Sequence, residues 1–321
     1  MLSDALKQRY EWLRNVPART AMRYFNQPKV RERLGAAHAA ALELYWPELP
    51  TLTRADRAIV EQLNQCGIAV ADLETLGLPN GSSILDQCQS LAEGFSEEAH
   101  RQCAAGKQFV IVPPEQVVAS PDIFQWGLQD RLLDAAEAYI GLPAAYDGVT
   151  INYTVADGRA ISTRRWHRDW EDRRMLKIAL YLHDVDEQGG PFQVLARADT
   201  MQSDADGYHY ELADDAELER RLGPKYESDI VSCTGKRGMM IFADTARLYH
   251  RGKPATGRDR AAVFYTYFAQ PPRHPFYCER TGMRRGDMRR LARDLPERQR
   301  KAVAWREHVP FAVRMIPPAT L

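Results

Sequence analysis

His167, Asp169, His250 and Arg260 are the residues of this chain whose types and spacing point to chemistry. In an extended segment residues i and i+2 project to one face, so His167 and Asp169 of WHRDW would point together while Arg168 points away. One imidazole and one carboxylate on a common face supply two of the three protein ligands of a 2-His-1-carboxylate triad, which leaves positions open on Fe(II). Such a site needs a second histidine from a distant strand. His250 closes MMIFADTARLYH, and ten residues later Arg260 opens RAAVFYTYF, enough for a turn and a return strand. A guanidinium there could hold the far carboxylate of a keto-acid cosubstrate, because its planar fork pairs with carboxylates through two parallel hydrogen bonds. His209-Tyr210-Glu211 is a competing His-x-acid pair, but it sits in the polar segment SDADGYHYELADD, which reads as a surface excursion.

The elements that must position these residues are short strands. VTINYTV, the run around His167, MLKIALYL, PFQVL, DIVSC, MMIFA and AAVFYTYFA are strand candidates, and Gly or Asp clusters such as Asp157-Gly158 and Gly189-Gly190 separate most of them. Many short antiparallel strands in one block predict a sandwich or jelly roll and not a βαβ sheet. Upstream, Thr53 and Asp56 form a box-like start to a helix that Cys66-Gly67 ends, followed by a strand from Ile68. QFVIV is predicted as a strand and Asp122 to Ile140 as one long helix. Leu2, Leu6, Tyr10 and Leu13 form an amphipathic stripe ended by Pro17, better read as packed on its own domain than lying on a membrane. Asp214 to Leu222 is a helix within an acidic insert near 199–229.

A chain of 321 residues, 45% hydrophobic with zero formal net charge, can bury a sizeable core. No run reaches the roughly 18 apolar residues of a membrane span, and MLSDALKQRYEWL lacks a secretory core, so a cytoplasmic location is expected. The five cysteines are scattered without a C-x-x-C pair, which argues for reduced thiols over disulfides or a thiolate zinc site. Basic clusters at 1–34 and 280–306 could face an anionic surface, but pairing with acidic faces of the same chain is the better account. No nucleotide-binding glycine motif, serine elbow or RNA-binding motif is present.

WHRDWEDRRMLKIALYLHDVDEQGGPF, followed by H-x9-R and an apolar strand, resembles the phytanoyl-CoA hydroxylase-like family of Fe(II)/2-oxoglutarate-dependent dioxygenases. The likeness covers roughly Val149 to Phe268, with a fainter extension at Gly67. It implies a mainly β fold with flanking helices: a double-stranded β-helix (jelly roll, cupin-like) core at 106–275, buttressed by N-terminal helices at 1–105 and extended by a basic segment at 276–321. It implies that His167, Asp169 and His250 bind Fe(II), that Arg260 holds the C5 carboxylate of 2-oxoglutarate, and that O2 and a small-molecule substrate complete the reaction. Arg164, Arg165, Arg173 and Arg174 crowd the motif and would suit an anionic substrate, although exposed arginines also simply solubilise. Asn152 and Lys177 are further pocket candidates, although an edge amide and a snorkelling lysine describe them equally well. Trp166 and Trp170 are expected to pack as core aromatics. The chain departs from the family pattern in VLARADT after G-P-F and in Gly252 two positions after His250. Its retained Asp169 favours hydroxylation over halogenation. Two other readings stand beside this one: a cupin-type metalloprotein, which would want His-x-His, and a non-catalytic barrel binding an anionic surface through its basic ends.

Overall fold

The computed structural model describes residues 9–10, 12–197, 200–202 and 207–319. Among the described residues eight strands form two antiparallel sheets: β1 (Ile68–Asp72), β2 (Ala144–Thr154), β3 (Met175–Tyr181), β4 (Phe192–Leu195), β5 (Ile230–Cys233), β6 (Met239–Ala243), β7 (His250–Gly252) and β8 (Arg260–Ala269). The larger sheet runs β1-β6-β3-β8-β2 and the smaller β5-β4-β7. The register sets Lys177 beside Thr266, Ala179 beside Phe264 and Tyr181 beside Ala262. With the period of two, these residues share one face, and Leu176, Ile178, Leu180, Val263 and Tyr265 share the other.

Each face has its own cover. Ala179, Tyr181, Ile241, Ala243 and Ala262 meet Phe192, Val194 and Leu248 in a core enclosed between the two sheets. The opposite face, with Ile178, Leu180, Val263, Tyr265 and Tyr267, packs against helices. A sheet with so apolar a back cannot face water, since each fully buried large side chain is worth about 1.5–3 kcal/mol. The helix Gly81–Ala104 supplies much of that cover through Ile84, Leu85, Cys88, Ala92, Phe95, Ala99 and Cys103, a helical spacing. The helices Arg54–Cys66 and Asp130–Ile140 also pack there. Thr53 caps the former by accepting from the Asp56 amide (3.2 Å), and Arg131 of the latter pairs with the buried Asp56 carboxylate at 2.8 Å.

Several expectations need correction. Helix outweighs strand, because most of the chain before β2 is helical and further short helices follow β8, so the chain is not mainly β. QFVIV forms no strand: only Ile111 bridges, to Asn152. The predicted long helix is two, Pro121–Trp126 and Asp130–Ile140, parted where Gly127 must let Tyr146 and Tyr265 pass; a Cβ there would meet the Tyr146 hydroxyl at 2.5 Å. The helical run that includes Leu13 breaks at Asn15, and Pro17 sits in the first turn of the next helix, Val16–Phe25, where its missing N–H costs nothing. Leu2 and Leu6 lie outside the described residues; Tyr10 and Leu13 are exposed and do not pack on the core. The acidic insert holds the helix Asp215–Leu222, capped by Asp214; Asp199, Asp204 and Asp206 lie outside the described residues. Among the described residues no helix is long and apolar enough to cross a membrane.

Gly190 fixes the entry to β4. Its φ is +67°, and a Cβ would stand 2.3 Å from the Lys253 carbonyl oxygen and 2.7 Å from the Ala255 amide, both backbone atoms that cannot swing aside. Gly190→Ala is therefore expected to destabilise the fold by about 2–4 kcal/mol through strain and backbone displacement, read as a lower denaturant midpoint with an unchanged slope.

Candidate metal centre

The run around His167 is not a regular strand but an extended segment strung between strands by single bridges. Trp166 pairs with Ala213, and His167 with His250. The two histidines exchange both backbone hydrogen bonds, 3.1 Å from the His167 amide to the His250 carbonyl and 2.9 Å in return. Opposed residues of such a pair place their side chains alongside each other, and here the ring centroids are 4.2 Å apart. The Asp169 amide donates to the Thr245 carbonyl (2.8 Å) in the turn between β6 and β7, which returns its carboxylate to the same spot. Asp169 Oδ2 lies 3.8 Å from His250 Nε2. One ligand atom from each of His167, Asp169 and His250 lies within 4.8 Å of the others, and all three residues are buried.

The surroundings set the protonation of these groups. His167 Nδ1 is 2.8 Å from the Arg165 carbonyl and His250 Nδ1 is 3.2 Å from the Leu248 carbonyl. A carbonyl only accepts, so each Nδ1 carries the proton and each Nε2 keeps a free lone pair. Burial, reinforced by His167, pushes the His250 imidazole down to about 3; burial also lowers His167, against the pull of Asp169. Burial alone would raise the Asp169 carboxyl, but Lys177 and both histidines hold it well below the usual carboxylate range. Lys177 Nζ sits 2.6 Å from Asp169 Oδ2. At neutral pH the cluster presents two neutral imidazoles and one carboxylate, the donor set of non-haem iron.

Arg260 lies on the same interior face. Its Nη2 donates to Thr154 Oγ1 at 3.3 Å, and Nη1 is buried with no partner. The residue is 7% exposed and pairs with no carboxylate among the described residues; burial, with Arg164 adding to it, weakens its hold on the proton. Gly252 makes room for this head group, since a Cβ there would meet Arg260 Nη2 at 2.6 Å. His250 and Gly252 are two residues apart on β7, about 6.5 Å, so the guanidinium is held roughly one strand step from the histidines. Asn152 shares the Thr154 face of β2, and its Oδ1 is buried without a partner.

The other sequence candidates fall on either side of this centre. Trp166 is fully buried and donates to Asp215 at 2.8 Å. Arg168 points away and lies over the Tyr249 ring. His209 is exposed, as its polar setting suggested. Trp170 stacks on Tyr277 with centroids 3.9 Å apart and leans on Tyr210, whose ring is 6.0 Å from that of His167. Glu171, 2% exposed, pairs with Arg280 at 3.3 Å. Glu171 was legible as the i+2 partner of Asp169. Tyr210 was visible but set aside with His209, and Arg280 carried no local signal, being brought in by the chain after β8.

No family model and no curated protein matches the chain. Solved structures similar to it include EctD from S. alaskensis in its apoform (20% identity, TM-score 0.45, covering 72% of this chain and 80% of that one). AviO1 from Streptomyces viridochromogenes Tue57 is similar at 17% identity and TM-score 0.41, over 70% of this chain and 98% of that one. The epimerase SnoN in complex with Fe3+, alpha ketoglutarate and nogalamycin RO is similar at 15% identity and TM-score 0.45, over 76% and 91%. Likenesses this distant decide nothing for this chain, and the reading below rests on its own residues.

Proposed function

We propose that the chain is an Fe(II)- and 2-oxoglutarate-dependent oxygenase of the phytanoyl-CoA hydroxylase-like kind, oxidising an unactivated C–H of a small molecule with succinate and CO2 as co-products. Its two facing sheets are then the double-stranded β-helix. The observation that carries this reading is a buried guanidinium with no carboxylate partner among the described residues, beside a buried His-Asp-His cluster. An unpaired buried cation is costly, and a dicarboxylate cosubstrate would relieve it.

The residues fit that pair of groups. His167 and His250 through Nε2, and Asp169 through its carboxylate, would hold the iron, which when bound supplies the oxidising chemistry that no side chain can. Arg260 would take the distal carboxylate of 2-oxoglutarate, with Thr154 steering the fork and Asn152 offering a further polar contact. Lys177 balances the charge of Asp169 and fixes its rotamer. The apolar walls, Phe192, Ala179 and Ala262, exclude water, which strengthens each of these charged contacts. Nothing favours the cupin alternative, whose second histidine is replaced here by Asp169. The basic C-terminal stretch is largely engaged with its own chain: Arg285 with Glu279, Arg289 with Glu307, Arg298 with Asp134 and Glu137.

The direct test is succinate formation by the purified protein supplied with Fe(II), 2-oxoglutarate and O2 across a metabolite panel. The expected result is slow basal turnover raised by a subset of the panel. No Fe(II)-dependent succinate under any condition would overturn the reading.

A further inference from the structure

Beside the metal cluster stands a wall that neither the iron nor 2-oxoglutarate accounts for. Trp170, one residue past Asp169, is sandwiched with Tyr277 and Tyr210, and the Arg280 guanidinium lies 5.7 Å from its ring centroid. Two donors at this wall lack acceptors among the described residues. Trp170 Nε1 is buried with no partner, and so is Arg280 Nη2. Glu171 occupies only the other branch, Nη1, at 3.3 Å, while its second oxygen accepts from the Trp170 amide.

The placement of Arg280 is built rather than incidental. Glu279 adopts φ +67°, a strained conformation for a residue with a Cβ. The amides of Glu279 and Arg280 both donate to the buried Asp147 carboxylate, at 2.9 and 3.4 Å. Asp147 itself sits at the irregularity of β2, where the register with β8 shifts between Tyr146 and Val149. A strand bulge and a strained turn thus converge on holding one guanidinium beside an indole edge, and bulges of this kind characteristically re-aim a side chain near a site.

We propose that Arg280 and Trp170 together anchor an oxyanion, carboxylate or phosphate, of the organic substrate, on the side of the metal cluster away from Arg260. This rests on the oxygenase reading for its meaning but can be tested apart from it. Two cations then divide two anions: Arg260 takes the cosubstrate, and Arg280 with the indole N–H takes the substrate. The aromatic wall excludes water from the second pairing, and a charge-assisted contact from Nη2 together with the indole N–H is worth far more there than in bulk solvent.

The test follows the Trp170 indole N–H by NMR, assigned through Trp170→Phe, in protein loaded with diamagnetic Zn(II), with and without 2-oxoglutarate. The probes are phenylacetate, phenyl phosphate and the neutral control phenylacetamide, up to about 10 mM. We expect at least one acid to shift the indole signal saturably and the amide to leave it unmoved; the tighter acid names the group. Arg280→Gln should weaken that acid by at least about tenfold, and Arg280→Lys should recover part of the loss. A dispersed indole spectrum identifies variants that fold, and the lysine variant keeps the test available if the glutamine one does not. The amide binding as well as the acids, unchanged acid binding in Arg280→Gln, or no response to either acid would each overturn the proposal. In the same samples, failure of 2-oxoglutarate to bind would sink the oxygenase reading while leaving the acid titration to judge Arg280.

Discussion

Changing His167 or Asp169 to alanine is expected to abolish Fe(II)-dependent succinate formation, a loss of at least about a thousandfold, while His209→Ala leaves it intact. The magnitude follows from the count of ligands: with three protein donors and a labile metal, losing one removes both affinity and the geometry that leaves adjacent positions open. Each donor is buried, and its backbone is pinned by main-chain bonds, so no neighbour can swing in to replace it. Asp169→Ala carries a second penalty, because Lys177 Nζ would lose the carboxylate it pairs with at 2.6 Å. Succinate assays paired with calorimetric metal titration separate loss of metal from loss of fold. Activity surviving both changes but lost in His209→Ala would mean that the ligands are elsewhere.

Arg260→Met should have two effects of opposite sign. Without a carboxylate to pair with, Arg260 is a net cost to the ligand-free protein, so the variant is expected to be more stable by about 1–2 kcal/mol. Its affinity for 2-oxoglutarate should fall by about a hundredfold, the two to five kcal/mol scale of deleting one partner of a buried charge pair. A guanidinium with a purely architectural duty would give the reverse sign in the first measurement, since its loss would unsatisfy Thr154 and open a void. Gly252→Ala is the milder probe: its Cβ displaces the fork without removing it, and about a tenfold rise in the KM for 2-oxoglutarate should follow. Thermal denaturation without ligand and steady-state kinetics on the same preparations read both signs.

How much of this was legible in the sequence depends on whether the information was local. The strands β2, β3, β6 and β8 announce themselves as apolar runs between turn residues, and their observed bounds differ from expectation by a few residues. His167, Asp169, His250 and Arg260 could be singled out because strand periodicity and chain order place them, and the structure brings the first three together and sets Arg260 nearby. The helix Gly81–Ala104 was equally periodic but went unread, its Gly and Ser content masking an apolar stripe. What could not be read were contacts made by tertiary closure. QFVIV looks like a strand, yet it meets β2 at a single bridge, Ile111 to Asn152, flanked by hydrogen bonds of Val110 and Val112. Arg280 and Glu171 meet through a turn beyond β8 whose course is set by Asp147, far away in sequence. The role of Gly252 is likewise invisible without knowing that the Arg260 head group passes beside it.

The paired main-chain bonds between residues 167 and 250 carry one more consequence. Amide and carbonyl are blind to what hangs from the α-carbon, so these two positions face each other whatever side chains they bear. The spacing of the ring donors is therefore a property of the scaffold, and the side chains only choose what is held there. Positions 167 and 250 form a two-slot cassette: exchanging imidazole for thiolate in both would re-address the same framework to a softer metal such as zinc, with the aromatic wall and the Arg260 chamber carried along unchanged.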